Sequence, residues 1–136
     1  MKKIILLSIS LLVCASVSFG QKNFVPLQEK DSVLVEYRWK SYKNEDKQEA
    51  YKLVIRMENT NPFPVKITLE VGYYWKTIQK ASGDELVYCL KPRKAIIGDM
   101  KRSRFDSSDF TFDELTSDNF LLELNKFEVK KVENCK

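Results

Sequence analysis

The sequence predicts an all-β protein built as a single antiparallel β-sandwich of about six to eight strands. Three observations favour this class. Apolar and polar residues alternate with a period of two over several segments of the chain. Clusters of Asn, Pro, Gly and charged residues interrupt the alternation about every ten residues, as in sandwiches and small barrels. No stretch with a helical period is long enough to compete with this interpretation.

The first twenty residues have the pattern of a secretory signal peptide. Two lysines precede an uncharged run over residues 4–17, and the small residues Ser18 and Gly20 suit signal peptidase. The run is shorter than the roughly 20 apolar residues that a membrane-spanning helix needs. We therefore expect a signal peptide at 1–20, no transmembrane segment, and a domain of residues 21–136 that is exported to the periplasm or the cell exterior.

A lipoprotein signal with an acylated Cys14 is the alternative for this segment. The processing enzyme prefers a small residue before the cysteine, whereas Val13 stands there. We therefore favour Cys14 as one more apolar residue of the signal.

The mature chain begins with a lead-in, and one clear strand follows it. Residues 21–32 lack a period, and Pro26 restricts any strand at 23–27 to the edge of a sheet. Residues 33–42 alternate strictly, which predicts a strand with one buried face. The polar residues 43–49 then predict an exposed hairpin loop.

Two further strands follow on either side of a strong turn signal. Alternation resumes from Tyr51 to Glu58, with Val54 as an exception. Asn59–Pro64 contains three turn-forming Asn or Thr residues and two prolines, which predicts a turn. The longest strand comes next, with inward residues Val65, Ile67, Leu69, Val71, Tyr73 and Trp75.

The second half of the mature chain gives weaker signals. A turn is predicted at 81–84, a strand at 85–90, an interruption at 91–94, and a short strand at 94–98 before a charged loop. Residues 110–112 alternate again. Residues 120–124 fit either a helical turn or a strand, whereas 127–132 predict a strand.

Two cysteines remain after signal cleavage, and both lie in the exported domain. An oxidising compartment makes an even pair a disulfide, so we expect Cys89 and Cys135 to be bonded. Two independent thiols are the alternative. The bridge would stabilise the fold by about 2–4 kcal/mol, mainly by restricting the unfolded chain.

The chain contains no histidine, which removes the commonest general base and the commonest zinc ligand. Phosphate-binding glycine loops are also missing, because Gly72, Gly83 and Gly98 are well separated. We therefore expect no enzyme, no catalytic residue, no metal and no cofactor, with a carboxylate acid–base pair as the remaining catalytic alternative. The 23 basic and 19 acidic residues give no indication of a nucleic-acid partner.

Three groups of residues are candidates for binding. An acidic cluster predicts either a calcium site or, as we favour, a solvated loop. It comprises Asp106, Asp109, Asp113, Glu114 and Asp118. A basic run could hold an anionic glycan, a lipid head group or an acidic protein, or else neutralise the acidic loop. It comprises Lys91, Arg93, Lys94, Lys101, Arg102 and Arg104.

The aromatic residues form the third group. Tyr74 should lie on the outward face of its strand with Tyr42 nearby, where outward aromatics could stack on sugars or anchor a protein. Trp39 and Trp75 are expected to fill the space between the sheets.

Several motifs carry a resemblance to a known kind of protein. They are the run from Glu58 to Val65, the long strand with paired aromatics, the run from Tyr88 to Pro92, and Gly98. In this order, over most of residues 33–112, the chain resembles small exported bacterial proteins of unknown function with immunoglobulin-like sandwiches. The resemblance implies an immunoglobulin-like fold and no activity.

Two functional hypotheses lead. The first is a non-catalytic binding or accessory domain of the bacterial cell envelope that holds a protein or glycan. The second is a secreted inhibitor of a hydrolase such as a lysozyme or protease, with Asn61–Pro64 or Lys101–Asp109 as the inserted loop.

Overall fold

The computed structural model describes residues 23–83 and 85–136, without the side chains of residues 101–103. The expected signal peptide at 1–20 lies outside the described residues. The described chain forms two antiparallel sheets packed face to face, which confirms the all-β sandwich. Its elements are β1 (Val25–Lys30), β2 (Val33–Lys43), β3 (Glu49–Asn59), β4 (Val65–Trp75), β5 (Ile78–Ser82), β6 (Leu86–Leu90), β7 (Ala95–Asp106), α1 (Phe112–Leu115) and β8 (Phe120–Lys131).

The first sheet has the strand order β1-β2-β3-β7. Two residues, Asp31 and Ser32, join β1 to β2, and their φ values of 48° and 59° fit the mirror-image turn that suits hairpins. β2 and β3 pair without interruption from Val33 opposite Asn59 to Lys43 opposite Glu49, around the predicted polar loop. These neighbours are consecutive in the chain, whereas the second strand of a constant-type immunoglobulin domain lies beside the fifth.

The second sheet is organised around β4. One edge of β4 pairs with β8 along its whole length, from Val65 opposite Lys131 to Trp75 opposite Phe120. The other edge pairs with β6 over residues 65–69 and with β5 over residues 72–75. The longest predicted strand is therefore the central strand of its sheet.

The core lies between the two sheets and contains the residues that alternation assigned to the inside. Trp39 is 2% exposed, and its ring contacts Tyr73, Phe105 and Phe120 at centroid distances of 6.5, 5.9 and 5.7 Å. Trp75 is half-buried against Phe110. The prediction that the tryptophans pack between the sheets is confirmed for Trp39, whereas Trp75 packs at the margin of the core.

The predicted charged loop after residue 98 is wrong, because β7 continues to Asp106. Its pairing with β3 moves from Asp99 opposite Val54 to Arg104 opposite Lys52, so the intervening residues form a wide bulge. Met100 is 5% exposed in this segment, and apolar anchoring keeps the charged strand on the core.

The structure also decides the secondary structure of three shorter segments. Ala81 and Ser82 end strand β5 and pair with Tyr73 and Gly72, although a turn was predicted there. Residues 110–112, where alternation indicated a strand, instead lead into the short helix at 112–115, which begins at a capping box on Thr111. The ambiguous segment at 120–124 is the start of the continuous strand β8.

Candidate functional site

One buried amide organises the loops at one end of the sandwich. Asn59, the last residue of β3, is 0% exposed. Its Nδ2 donates to the carbonyl oxygens of Phe63, Lys91 and Leu90 at 3.0, 3.2 and 3.4 Å. Its Oδ1 accepts from the backbone N–H of Asn61 at 3.0 Å. A single side chain therefore fixes the β3–β4 loop against the β6–β7 turn.

The β3–β4 loop is also bound to the β1–β2 turn. Asn61 Nδ2 donates to the Asp31 carbonyl at 2.8 Å, and the Thr60 hydroxyl donates to the Ser32 carbonyl at 2.8 Å. The backbone N–H of Thr60 reaches the same Ser32 oxygen at 3.0 Å. Three connections thus form one hydrogen-bonded rim.

A groove of about 340 Å³ opens beside this rim. Val65, which is buried, and Val129, which is half-buried, supply apolar surface. The Lys131 ammonium lies 4.6 Å from the centroid of the Phe63 ring. The lining residues are Asp31, Ser32, Asn61, Phe63, Val65, Val129 and Lys131. The groove therefore combines an aromatic face with an acid, a base and an amide.

Three of the six described non-glycine residues with positive φ lie at the same end of the molecule, and the others, Lys47, Lys76 and Thr77, lie in turns elsewhere. Asp31, Ser32 and Arg93 all have positive φ, a conformation that non-glycine residues rarely adopt. The backbone N–H of Arg93 donates to the Asn61 carbonyl at 3.3 Å, which holds it beside the rim. Strained residues often cluster at binding sites, where the surrounding hydrogen bonds maintain them.

The structure divides the basic run into two parts. Lys91, Arg93 and Lys94 are exposed in the turn at the groove end, where the Lys94 carbonyl accepts the Asn59 N–H at 2.9 Å. Arg104 lies opposite Lys52, seven positions along β3 from Asn59, or about 23 Å. The side chains of Lys101 and Arg102 lie outside the described residues.

The structure also separates the two candidate tyrosines. Tyr74 lies on the outer face of β4, where its hydroxyl donates to Asn125 Oδ1 at 2.9 Å. Tyr42 lies on β2 in the other sheet, with the Arg104 guanidinium 5.6 Å from its ring centroid. Of the predicted binding residues, Tyr42 and Arg104 are therefore brought together, and Tyr74 is on the opposite side of the sandwich.

The acidic cluster acts locally as hydrogen-bond acceptors. Glu114 accepts the Thr111 N–H at 2.7 Å in the capping box of α1. Asp109 accepts the Asp106 N–H at 3.3 Å, and Asp106 accepts from Asn44 at 3.3 Å. In residues 23–83 and 85–136, no group of three acidic or cysteine side chains is arranged to hold a metal ion.

Cys89 and Cys135 are joined by a disulfide with a Cα–Cα distance of 5.6 Å, as expected. Cys89 lies on β6, and Cys135 lies in the tail after β8, so the bond joins β6 to that tail. The tail is also held where the Val132 N–H donates to the Pro64 carbonyl at 3.1 Å. The disulfide therefore braces the sheet behind the groove.

Sequence reasoning did not identify Asp31, Val129 or Lys131 as site residues. Asn61 and Phe63 appeared only as part of a loop for the inhibitor hypothesis. A two-residue Asp-Ser connection between strands was the available signal for Asp31, but nothing in the pattern pairs it with Lys131, which is distant in the chain.

In the part of the chain that the structure describes, no helix is long and apolar enough to cross a membrane. Comparison with protein-family models, with curated proteins and with solved structures found no match to this chain.

Proposed function

We propose that this chain is a non-catalytic binding or accessory domain of the bacterial cell envelope, and that it holds a protein or glycan in the groove at the loop end of the sandwich. The observation that carries the proposal is the hydrogen-bonded rim, in which Asn59 and Asn61 together bind three connections around a mixed apolar and polar groove. A preformed groove can bind a ligand at little cost in the ordering of its loops and side chains.

The lining of the groove suits a group with one apolar face and one polar edge. Phe63 and Val129 offer contact surface, while Asp31 and Asn61 offer acceptors and donors at the rim. Its volume of about 340 Å³ is at the small end of the roughly 300–1,000 Å³ typical of ligand sites. One sugar ring, or one side chain of a protein partner, would fill it.

Export of the domain is supported by two independent features. The first twenty residues have the composition of a signal peptide. The Cys89–Cys135 bond belongs to an oxidising compartment such as a periplasm or the cell exterior.

The test is an NMR titration of residues 21–136 with peptidoglycan fragments and with soluble envelope proteins. Asp31→Asn and Lys131→Gln remove the two groove charges with little change in shape. Asp46→Asn and Lys80→Gln are matched controls at exposed positions away from the groove. We expect shifts centred on the groove residues, weaker binding in the groove variants, and unchanged binding in the controls. Equal binding by all four variants, or no shifts with either probe set, would contradict the proposal.

The hydrolase-inhibitor hypothesis stays a prediction with less support. Residues 101–106 of its second loop belong to β7 rather than to a free loop. Asn61 and Phe63 of its first loop are half-buried against neighbouring connections, so they are not free to insert into an active site.

A further inference from the structure

Three cations form a row across the outer face of the first sheet. Lys40 on β2 lies directly opposite Lys52 on β3, and Lys52 lies directly opposite Arg104 on β7. Adjacent strands are about 4.8 Å apart, so the three residues occupy consecutive positions at right angles to the strands. Lys40 and Arg104 are exposed, while the Lys52 side chain is 19% exposed.

This arrangement is unfavourable for folding alone. Like charges directly opposite on neighbouring strands destabilise a sheet. Asp99 forms an ion pair with Lys52, with 2.6 Å between Asp99 Oδ2 and Lys52 Nζ, and so offsets one of the three charges. Among the side chains that the structure describes, no acid pairs with Lys40 or Arg104.

The other half of the same face shows how the sheet neutralises charge elsewhere. Arg56 lies between Glu36 and Glu58 and forms ion pairs with both, at 2.5 and 2.8 Å. The hydrogen bond to Glu36 raises the pKa of the Arg56 guanidinium. Lys40 and Arg104 therefore lie in the half of the sheet near the β2–β3 hairpin, away from this neutralised group.

Tyr42 holds two of the three cations in place. Its ring centroid lies 5.7 Å from the Lys52 ammonium and 5.6 Å from the Arg104 guanidinium. Attraction between a cation and an aromatic face limits the freedom of both long side chains. Lys52 and Arg104 are therefore restrained before any ligand arrives, which lowers the cost of binding.

We propose that the row of Lys40, Lys52 and Arg104, with Tyr42 beside it, binds an acidic polysaccharide through its carboxylates. Arg104 presents a planar fork that matches a carboxylate, and Lys40 acts as a point charge, whereas the charge of Lys52 is already offset by Asp99. The charges of Lys40 and Arg104 are two strand separations apart on an open sheet face, or about 10 Å, which suits alternate units of a flat, extended polyanion. The half-buried Tyr42 adds a ring on which a sugar can pack.

This surface is distinct from the groove of the proposed function. Lys40 lies eight positions along β2 from Ser32 at the rim, or about 26 Å. A ligand on the row and a ligand in the groove therefore do not compete for the same residues. The two binding proposals can be tested independently of each other.

The experiment measures binding of residues 21–136 to polygalacturonate by calorimetry at low and at physiological salt, with neutral dextran as the uncharged reference. The test variant is Lys40→Gln/Arg104→Gln. The matched control is Lys91→Gln/Lys94→Gln, which removes the same net charge at the groove end. We expect the test variant to lose about tenfold in affinity, as when charge-assisted contacts are removed, and the control to bind like the parent chain. Binding should weaken with salt because the sites are exposed.

Stability separates a binding role from a structural one. Because the row repels itself, the test variant should unfold at the same or a higher temperature while it loses binding. A lower melting temperature with unchanged affinity would overturn the proposal. So would an equal loss in the control variant, absence of binding at low salt, or equally tight binding to poly-glutamate or to phosphatidylglycerol vesicles.

Discussion

At the scale of single residues, Asn59 is the polar group on which the loop end depends. Its amide is fully buried and satisfied by backbone groups of two connections. Asn59→Ala leaves those carbonyl groups unpaired, and we expect a loss of about 1–3 kcal/mol in the free energy of unfolding. Urea denaturation measures it.

The control for this substitution is Asn119→Ala, at an exposed position of the turn before β8. The control should change the free energy by less than about 0.5 kcal/mol. Equal losses in the two variants would show that Asn59 does not organise the loops.

Buried phenols set the response of the fold to alkali. Burial raises the pKa of the Tyr73 phenol well above its usual range, and it also raises the pKa of Tyr37 and Tyr51. Above about pH 10 the unfolded phenols lose protons that the folded ones keep. The unfolded state then binds fewer protons, so stability is full below pH 10 and falls as pH rises further.

The measurement is the free energy of unfolding between about pH 9 and 11, where model tyrosines titrate. Tyr73→Phe should reduce the slope of the decline, because one of the raised phenols is gone. The absorbance of the folded chain should show phenols of Tyr37, Tyr51 and Tyr73 that lose their protons above about pH 10. A single step near pH 10 would contradict this assignment.

At the scale of the elements, a bulge in β8 explains why β4 contains Gly72. The β4–β8 register shifts between Glu70 and Val71, which leaves Asn125 as the extra residue. A Cβ atom on Gly72 would lie 2.6 Å from Asn125 Nδ2. Gly72→Ala should therefore turn the exposed Asn125 side chain aside and break its hydrogen bond from Tyr74, at a cost of about 0.5–1.5 kcal/mol.

A double-mutant cycle tests that contact. In an Asn125→Ala background the clash is absent, so Gly72→Ala should cost clearly less there than in the parent chain. Additive losses would mean that the cost of the alanine comes from elsewhere in β4.

The helix α1 depends on its cap because it has only four residues. Thr111 Oγ1 accepts the Glu114 N–H, and α1 places Leu115, 3% exposed, in the core. Thr111→Ala should cost about 0.5–2 kcal/mol by thermal or urea unfolding. Ser108→Ala, at an exposed turn position, is the control and should be close to neutral.

The strands that alternation predicted well are those with one face in the core. β2, β3 and β4 alternate because the sandwich buries every second residue of each. β5 has little alternation because it lies at an edge, with Ile78 61% exposed. The charged part of β7 resembles a loop in sequence, since its core anchors are Met100 and Phe105 alone.

The candidate surfaces were harder to predict than the strands. Alternation on β2 predicts that Tyr42 faces outward, but its proximity to Arg104 depends on the register between β7 and β3. That register includes a bulge between Lys52 and Val54, which local sequence does not specify. Phe63 and Lys131 meet only because β8 pairs with β4, a long-range pairing without a local signal.

At the scale of the whole molecule, two surfaces lie at opposite ends of one rigid core. The groove is built from connections held by Asn59, whereas the cationic row lies on strands near the β2–β3 hairpin. The two candidate surfaces are therefore held by different interactions, by loop hydrogen bonds at the groove and by strand pairing at the row.

The disulfide sets the stability of this small domain as a whole. Cys89 and Cys135 are 46 residues apart, and their bond joins β6 to the tail that follows β8. Cys89→Ser/Cys135→Ser should lower the free energy of unfolding by about 2–4 kcal/mol, because the unfolded chain gains freedom that the bond removes. Urea unfolding of the two proteins measures the loss, and addition of reductant should bring the parent chain to the same midpoint as the variant. Equal stability of the parent chain with and without reductant would show that the bond does not constrain the unfolded state.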